Sequence, residues 1–182
     1  HQHNGTKYHY TPFQFAGLPH IDSAEFTGRY PFANINFKDK NIPINISLNA
    51  FNPMIPHDTD SSSIPGIMFV FNLENTTKSS VEVSIGMSIL NMVGLAALDE
   101  DPEFPSRTSS SCFGRNINSV IRGKDYSGLF MKSRKYEIDQ PGFGSMALIA
   151  EGSDNAVRTD FPDDGWFDVM DYLWRDFKKD GV

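Results

Sequence analysis

The sequence predicts an all-β fold, an antiparallel β-sandwich (supersandwich-like) ending in one C-terminal α-helix. Three observations carry this. Apolar and polar residues alternate with period two in several short segments, most plainly Ile42–Leu48 and Val81–Ile89. Clusters of Gly, Pro, Asn, Asp and Ser separate those segments, as turns require. Helical periodicity is confined to the last part of the chain. Strands at short spacing with no helix between them favour antiparallel sheets.

The chain of 182 residues has room for one domain and enough length to bury a core. Its 15 Phe, 6 Tyr and 2 Trp argue against overall disorder. The net charge of −7 repels phosphate backbones, which excludes nucleic acid as a first choice of partner. No apolar run approaches the ~20 residues of a membrane span. Cys112 is the only cysteine, so an internal disulfide framework and a multi-cysteine zinc site are excluded. Cysteine poverty does not fix the compartment.

Residues 1–30 read as an irregular segment whose aromatics pack on the sandwich, and 31–182 as the sandwich module. His1, His3, His9 and His20 fall in the first segment, two of them at a terminus that ordinarily frays. Phe32–Phe37 and Ile42–Leu48 form a candidate hairpin through Lys38–Asn41. A loop from Phe51 to Pro65 follows, in which Pro53, Pro56 and Pro65 block a helix or a central strand. Ile67–Leu73 is nearly all apolar, which predicts a buried central strand. Glu74–Ser80 is turn chemistry, and Val81, Val83, Ile85, Met87 and Ile89 then alternate as the cleanest strand, expected to pair antiparallel with Ile67–Leu73. Asn91–Gly123 has a weak pattern, with an acidic, Pro-broken stretch and a Ser/Thr run. Ser119–Arg122, Gly128–Lys132 and Ser145–Ala150 are further strands.

Phe167, Met170, Leu173, Trp174 and Phe177 fall at helical spacing, predicting a helix over about 166–179. Asp163 and Asp164 suit its N-terminus, Lys178 and Lys179 its last turn, and Gly181 a left-handed end. An amphipathic helix of this length is stable only when docked.

Chemistry-bearing patterns are weak. Glycoside hydrolysis needs two facing carboxyl groups; Asp58 with Asp60 and Asp163 with Asp164 are candidates, but both pairs also read as turn or cap. His57, Asp58 and Ser61–Ser63 are close in sequence, whereas a catalytic triad is a spatial arrangement, and the segment reads as a turn bonded by its own side chains. The spacing of His57, Asp58 and Asp60 matches neither a zinc site nor a calcium hand, and no cofactor or metal is expected. Gly142-Phe143-Gly144 reads as a turn before a strand. Trp166, Tyr172 and Trp174 could stack on sugar rings, but helical spacing favours packing on a core or a neighbouring domain.

Several motifs in order resemble one family. Gly28-Arg29-Tyr30-Pro31-Phe32-Ala33 is followed by Ala50-Phe51-Asn52-Pro53-Met54-Ile55-Pro56-His57-Asp58. Ser62-Ser63-Ile64-Pro65 and an apolar strand come next, then an Asn-rich turn. With Gly144-Ser145-Met146-Ala147 and the spacing of Trp174, Phe177, Asp180 and Gly181, this is similar to the N-terminal domain of glycoside hydrolase family 116. Those are β-glycosidases of the non-lysosomal glucosylceramidase and β-glucosidase type. His57 and the acidic, Ser-rich stretch 99–111 depart from the pattern.

The resemblance implies a non-catalytic β-sandwich module, belonging to a longer polypeptide whose separate C-terminal (α/α)6 barrel acts on a β-glucoside-type substrate. It gives no catalytic residue in this chain. The expected partner is that catalytic domain. The expected contact loop comprises Pro53, Pro56, His57, Asp58, Ser62, Ser63 and Pro65, and the expected interface aromatics are Trp166, Trp174 and Phe177. A free-standing carbohydrate-binding sandwich is the alternative reading.

Overall fold

The computed structural model describes residues 2–3, 7–8, 18–94, 115–152, 154–160 and 169–181. Two compact units divide the chain, one of residues 19–83 and one of residues 1–18 with 84–182.

The first unit is a four-stranded antiparallel sheet. Strands β3 (Ser23–Arg29), β4 (Phe32–Lys38), β5 (Ile44–Phe51) and β6 (Met68–Asn75) lie in that order. The hairpin expected of residues 32–48 is β4 with β5, paired Ile35 to Leu48 and Phe37 to Ile46. β3 begins at Ser23, inside the stretch expected to be irregular. Register sorts the side chains by face, because directly paired residues of adjacent strands share one. Phe26, Ile35, Leu48 and Phe71 form one continuous row, and Ala24, Phe37, Ile46 and Leu73 the next. The opposite face carries Asn34, Asn36, Ser47, Asn49 and Asn72. Asn72 donates there to Ser47 Oγ at 3.4 Å.

β6 corrects the expectation of a buried central strand. Among the described residues it is the last strand of its sheet, and every residue in it is exposed. An apolar run records that a strand suits cover on both faces; it does not record its place in the strand order. The partner also differs, since β6 pairs with β5, Leu48 opposite Phe71, and not with Val81–Ile89. Residues 81–90 join no ladder among the described residues. Alternation fixes the chemistry of two faces, but hydrogen bonding needs a backbone at ~4.8 Å, which no pattern specifies. The reversal after β6 is built as expected of its Asn, Thr and Ser residues: Thr77 donates through its amide and its hydroxyl to Asn75 Oδ1, and Asn75 Nδ2 to Ser79 O.

The second unit contains a three-stranded antiparallel sheet, β7 (Asn116–Arg122), β8 (Tyr126–Ser133) and β9 (Ser145–Glu151) in chain order. These are the three strands expected after residue 118, each slightly longer. Met131 on the central strand is 1% exposed. Asn91 ties the chain before the sheet to two strands. Its Nδ2 donates to Asn118 Oδ1 (2.7 Å) and Lys132 O (3.3 Å), and its Oδ1 accepts from Val93 N (3.1 Å). At the N-terminus, β1 (Gln2–His3) and β2 (Lys7–Tyr8) pair antiparallel.

Helix α2 (Val169–Asp180) is the expected C-terminal helix. Lys178 and Lys179 occupy its last turn. Gly181, at φ 75°, donates its amide to Phe177 O at 2.8 Å, the left-handed C-terminal arrangement expected of it. Asp163 and Asp164, the expected N-terminal residues, lie outside the described residues, as do Cys112 and the stretch 99–111. The fold class is therefore all-β. It comprises antiparallel sheets of four and three strands, the elements a sandwich is made from, with little helix.

Candidate functional site

The segment between β5 and β6 is the most elaborated loop of the four-stranded sheet. Phe51 and Met68 are opposite each other in register, so the chain leaves and re-enters the sheet at one point. Pro53, Pro56 and Pro65 fix φ along the way and lower the entropy lost on ordering. The base is closed by Asn52, whose Nδ2 donates to Gly66 O at 2.7 Å. Higher up, Ile55 and Asp58 form an isolated antiparallel bridge, with Asp58 N donating to Ile55 O at 3.1 Å. Ser62 Oγ takes the Ile55 amide at 2.9 Å and donates to the Ile55 carbonyl at 3.0 Å. Each of these bonds satisfies a polar group inside the loop itself.

Within that frame the structure corrects the expectation that the prolines block a helix. Thr59–Ser62 is a single helical turn, α1. It fits because Pro56 and Pro65 bracket the turn without entering it. Asp58 is its N-cap: Oδ1 accepts from Ser61 N at 2.9 Å and Oδ2 from Ser61 Oγ at 2.7 Å. His57 precedes the cap at φ 67°, a left-handed conformation uncommon outside glycine. Ser63 Oγ donates to the Thr59 carbonyl.

These bonds set the electrostatics. The Ser61 amide, and after it the Ser61 hydroxyl, hold the Asp58 carboxyl below its ordinary value of 3.8. A carboxyl whose folded pKa is depressed contributes stability above its unfolded pKa, and that contribution is lost as pH falls through the folded value. An NMR titration should therefore place the Asp58 midpoint below 3.8. The amide of Ser61 should lose its exchange protection over the same acid range, and Asp58→Ala should remove that protection at every pH. An ordinary midpoint for Asp58 would contradict this account of the cap.

The sequence-derived candidates can now be placed. Pro53, Pro56, His57, Asp58, Ser62, Ser63 and Pro65 do share one ordered loop. Both oxygens of Asp58 are engaged by Ser61, so it serves as cap rather than as half of a carboxylate pair. The hydroxyls of Ser61, Ser62 and Ser63 are likewise bonded to Asp58 or to backbone, the turn reading expected of them. Among the described residues, no group of three or more His, Cys, Asp and Glu is placed to hold a metal ion. Asn52 and Ile55, which close and brace the loop, were missed. Asn-Pro before a Pro-rich run is the signal that marks the first of them.

On α2, Trp174 and Phe177 are half-buried, with ring centroids 6.4 Å apart and planes inclined by 38°. The Phe177 ring lies over Gly86, where a Cβ would meet it at 3.2 Å. This aromatic pair thus contacts its own unit through Gly86. Trp166 lies outside the described residues. Gly142-Phe143-Gly144 follows a turn closed by Phe143 N to Gln140 O at 2.9 Å and leads into β9, as expected.

A search for similar curated proteins finds no match. The family model described as beta-glucosidase 2, glycosyl-hydrolase family 116 N-term, matches residues 3–182. It spans both units, both sheets and the loop of the preceding paragraphs. By that match the chain belongs to the N-terminal domain family of the family 116 glycosyl hydrolases.

Proposed function

We propose that this domain is a non-catalytic module that supports the catalytic domain of a family 116 β-glucosidase, with the loop between β5 and β6 as a contact to that domain. The observation that carries the reading is the loop's combination of rigidity and apolar exposure. It is fixed by its own hydrogen bonds, yet Met54, Ile55, Ile64 and Ile67 stand in solvent. A loop preordered in this way loses little entropy when a partner covers it. Polar groups already satisfied internally can also be covered without a desolvation penalty. Trp166, Trp174 and Phe177 are proposed to contribute a second contact from the C-terminal helix. The catalytic acid and nucleophile are assigned to the partner domain, and the substrate to the β-glucoside class.

The test is removal. Deleting residues 3–182 from the whole polypeptide should lower its melting temperature and its turnover of an aryl β-glucoside together. Unchanged activity and melting temperature in the deleted form would overturn the supporting role. Turnover by residues 3–182 alone would overturn the non-catalytic assignment.

A further inference from the structure

The polar face of the four-stranded sheet has a composition that strand formation does not explain. Asparagine is among the residues depleted from strands. This face nevertheless carries Asn34 and Asn36 on β4, Asn45 and Asn49 on β5, and Asn72 on β6. Register gathers them. Asn34 lies opposite Asn49, and Asn36 opposite Ser47, which in turn lies opposite Asn72. Adjacent strands are ~4.8 Å apart and successive residues of one face ~7 Å apart, so the amides form a continuous patch.

The fold does not use up these amides. Asn45 donates to Glu74 Oε2 at 2.9 Å and Asn72 to Ser47 Oγ at 3.4 Å. Among the described residues, Asn34, Asn36 and Asn49 make no side-chain hydrogen bond, and the polar atoms of the half-buried Asn34 and Asn49 stay open to solvent. Each such amide offers two donors and an acceptor oxygen. Charge is balanced around them. Glu25 pairs with Lys38 at 3.2 Å, Glu74 is engaged by Asn45, and Arg29 stands opposite Phe32 at the loop end. Two carboxylates and two cations leave the face without net charge. Apolar side chains flank the patch on one side: Val70 lies opposite Asn49, and Phe32, Phe51 and Met68 form the next row. The two Phe rings are 5.8 Å apart, and Phe32 is 51% exposed. The reverse face of the sheet is exposed as well, at Phe26, Phe71 and Leu73, but it is apolar as far as Asn75 and has nothing comparable with which to orient a polar ligand.

We propose that this face binds a neutral glycan chain, through the amides of Asn34, Asn36 and Asn49 and the ring of Phe32. The hydroxyls of such a chain donate and accept alike, as side-chain amides do. A chain without charge suits a face without net charge. The C–H side of a sugar ring packs on the electron-rich face of an aromatic ring, which Phe32 supplies, and Val70 adds apolar area beside it. An apolar partner would cover three amides without giving them bonds, at a desolvation cost for each. A charged polymer would find no countercharge to match. Among neutral glycans the sugar is a β-glucan, and this choice alone rests on the β-glucoside reading above. Affinity at a single chain is modest, since each bond to a hydroxyl replaces a bond to water.

Native electrophoresis of the whole polypeptide tests this, in gels that hold a soluble β-glucan, dextran, the anionic polygalacturonate or no polymer. The expected result is retardation by the β-glucan, with the apparent dissociation constant raised at least tenfold in the double variant Asn34→Ala with Asn49→Ala and in Phe32→Ala. Asn36→Lys sets a long charged side chain across the amides from an exposed position and should do the same; it decides the outcome where the double variant melts below the parent. Retardation by neither neutral polymer, or by polygalacturonate alone, would overturn the proposal. So would β-glucan retardation that Asn36→Lys leaves unchanged, because the glycan would then be held elsewhere on the polypeptide. Retardation by dextran alone, lost in Asn36→Lys, would uphold the face and overturn the choice of β-glucan. Deletion of residues 3–182 reads stability and aryl β-glucoside turnover instead. A deletion without cost, with retardation lost in Asn36→Lys, would defeat only the supporting role. A costly deletion with retardation unchanged would defeat only the glycan face.

Discussion

Replacing Gly128 with alanine should cost about 3 kcal/mol, at the upper end of what overpacking a tight site costs. For a chain of this size that lowers the melting temperature by roughly 10 °C. Gly128 lies on β8, the central strand, directly opposite Ile149 of β9. A methyl group there would run into the Leu148 carbonyl oxygen and stand 2.8 Å from Ile149 Cα. Both obstacles are backbone, so no side chain can rotate away. The strands must separate, and the Gly128–Ile149 and Leu129–Leu148 pairs lose geometry together. A contrast comes from Gly144, where an added Cβ meets nothing within 4 Å. Gly144→Ala should leave the melting temperature within about 1 °C, since surface changes away from special features fall within ±0.5 kcal/mol. Thermal unfolding of both variants by circular dichroism checks the pair. Equal small effects would mean that β8 and β9 are not held at this separation.

Much of the fold was legible in the residues, for a physical reason. Period-two alternation is a local property, and it located β5; β4 was read as its hairpin partner, and the strands after residue 116 from the Gly, Pro and Asp that flank them. The turn after β6 was legible too, since Asn75 and Thr77 supply their own bonds. What was not legible is non-local. Met68-Phe69-Val70-Phe71 carries apolar residues on both faces, which fits a central strand as well as an edge that another surface covers. Val81–Ile89 alternates well and still joins no ladder among the described residues, since alternation names no partner. The helical turn at Thr59–Ser62 was hidden by reading three prolines as one barrier, although eight residues separate Pro56 from Pro65. In the candidate site, the loop residues were legible through motif resemblance. The cluster of Phe32, Phe51 and Met68 at the base of that loop was not, because it exists only once register brings three strands side by side.

Asn91 is the plainest case of a residue that only the folded chain reveals, and Asn91→Asp is expected to have the second large effect. The residue is 8% exposed, in a stretch of weak pattern, and its bonds reach 27 and 41 positions along the chain. Its amide nitrogen is a donor facing three oxygens, Asn118 Oδ1, Lys132 O and, at 3.5 Å, Ile117 O, while its carbonyl oxygen serves Val93 N. Asparagine alone among side chains of this size supplies donors on one arm and an acceptor on the other. Aspartate keeps the acceptor for Val93 but turns both arms into acceptors at neutral pH. It then points a charged oxygen at three others in a largely buried site. Burying an ionised group that has lost its bonds costs more than a neutral deletion. Asn91→Asp should thus be worse than Asn91→Ala, about 3 kcal/mol or more against about 2 kcal/mol.

The sign of its pH dependence follows. Burial and facing acceptors disfavour the charged form, so the folded pKa of the introduced carboxyl lies above its unfolded value near 3.9. The variant gains stability as pH falls, because the protonated acid can donate to Asn118 Oδ1 again. It loses stability as pH rises through the unfolded value to the folded one. Urea unfolding of the three proteins across that range should therefore bring Asn91→Asp toward the parent in acid while Asn91→Ala keeps a constant deficit. A parallel pH response of the two variants would show that the amide donor at position 91 does not hold this segment to β7 and β8.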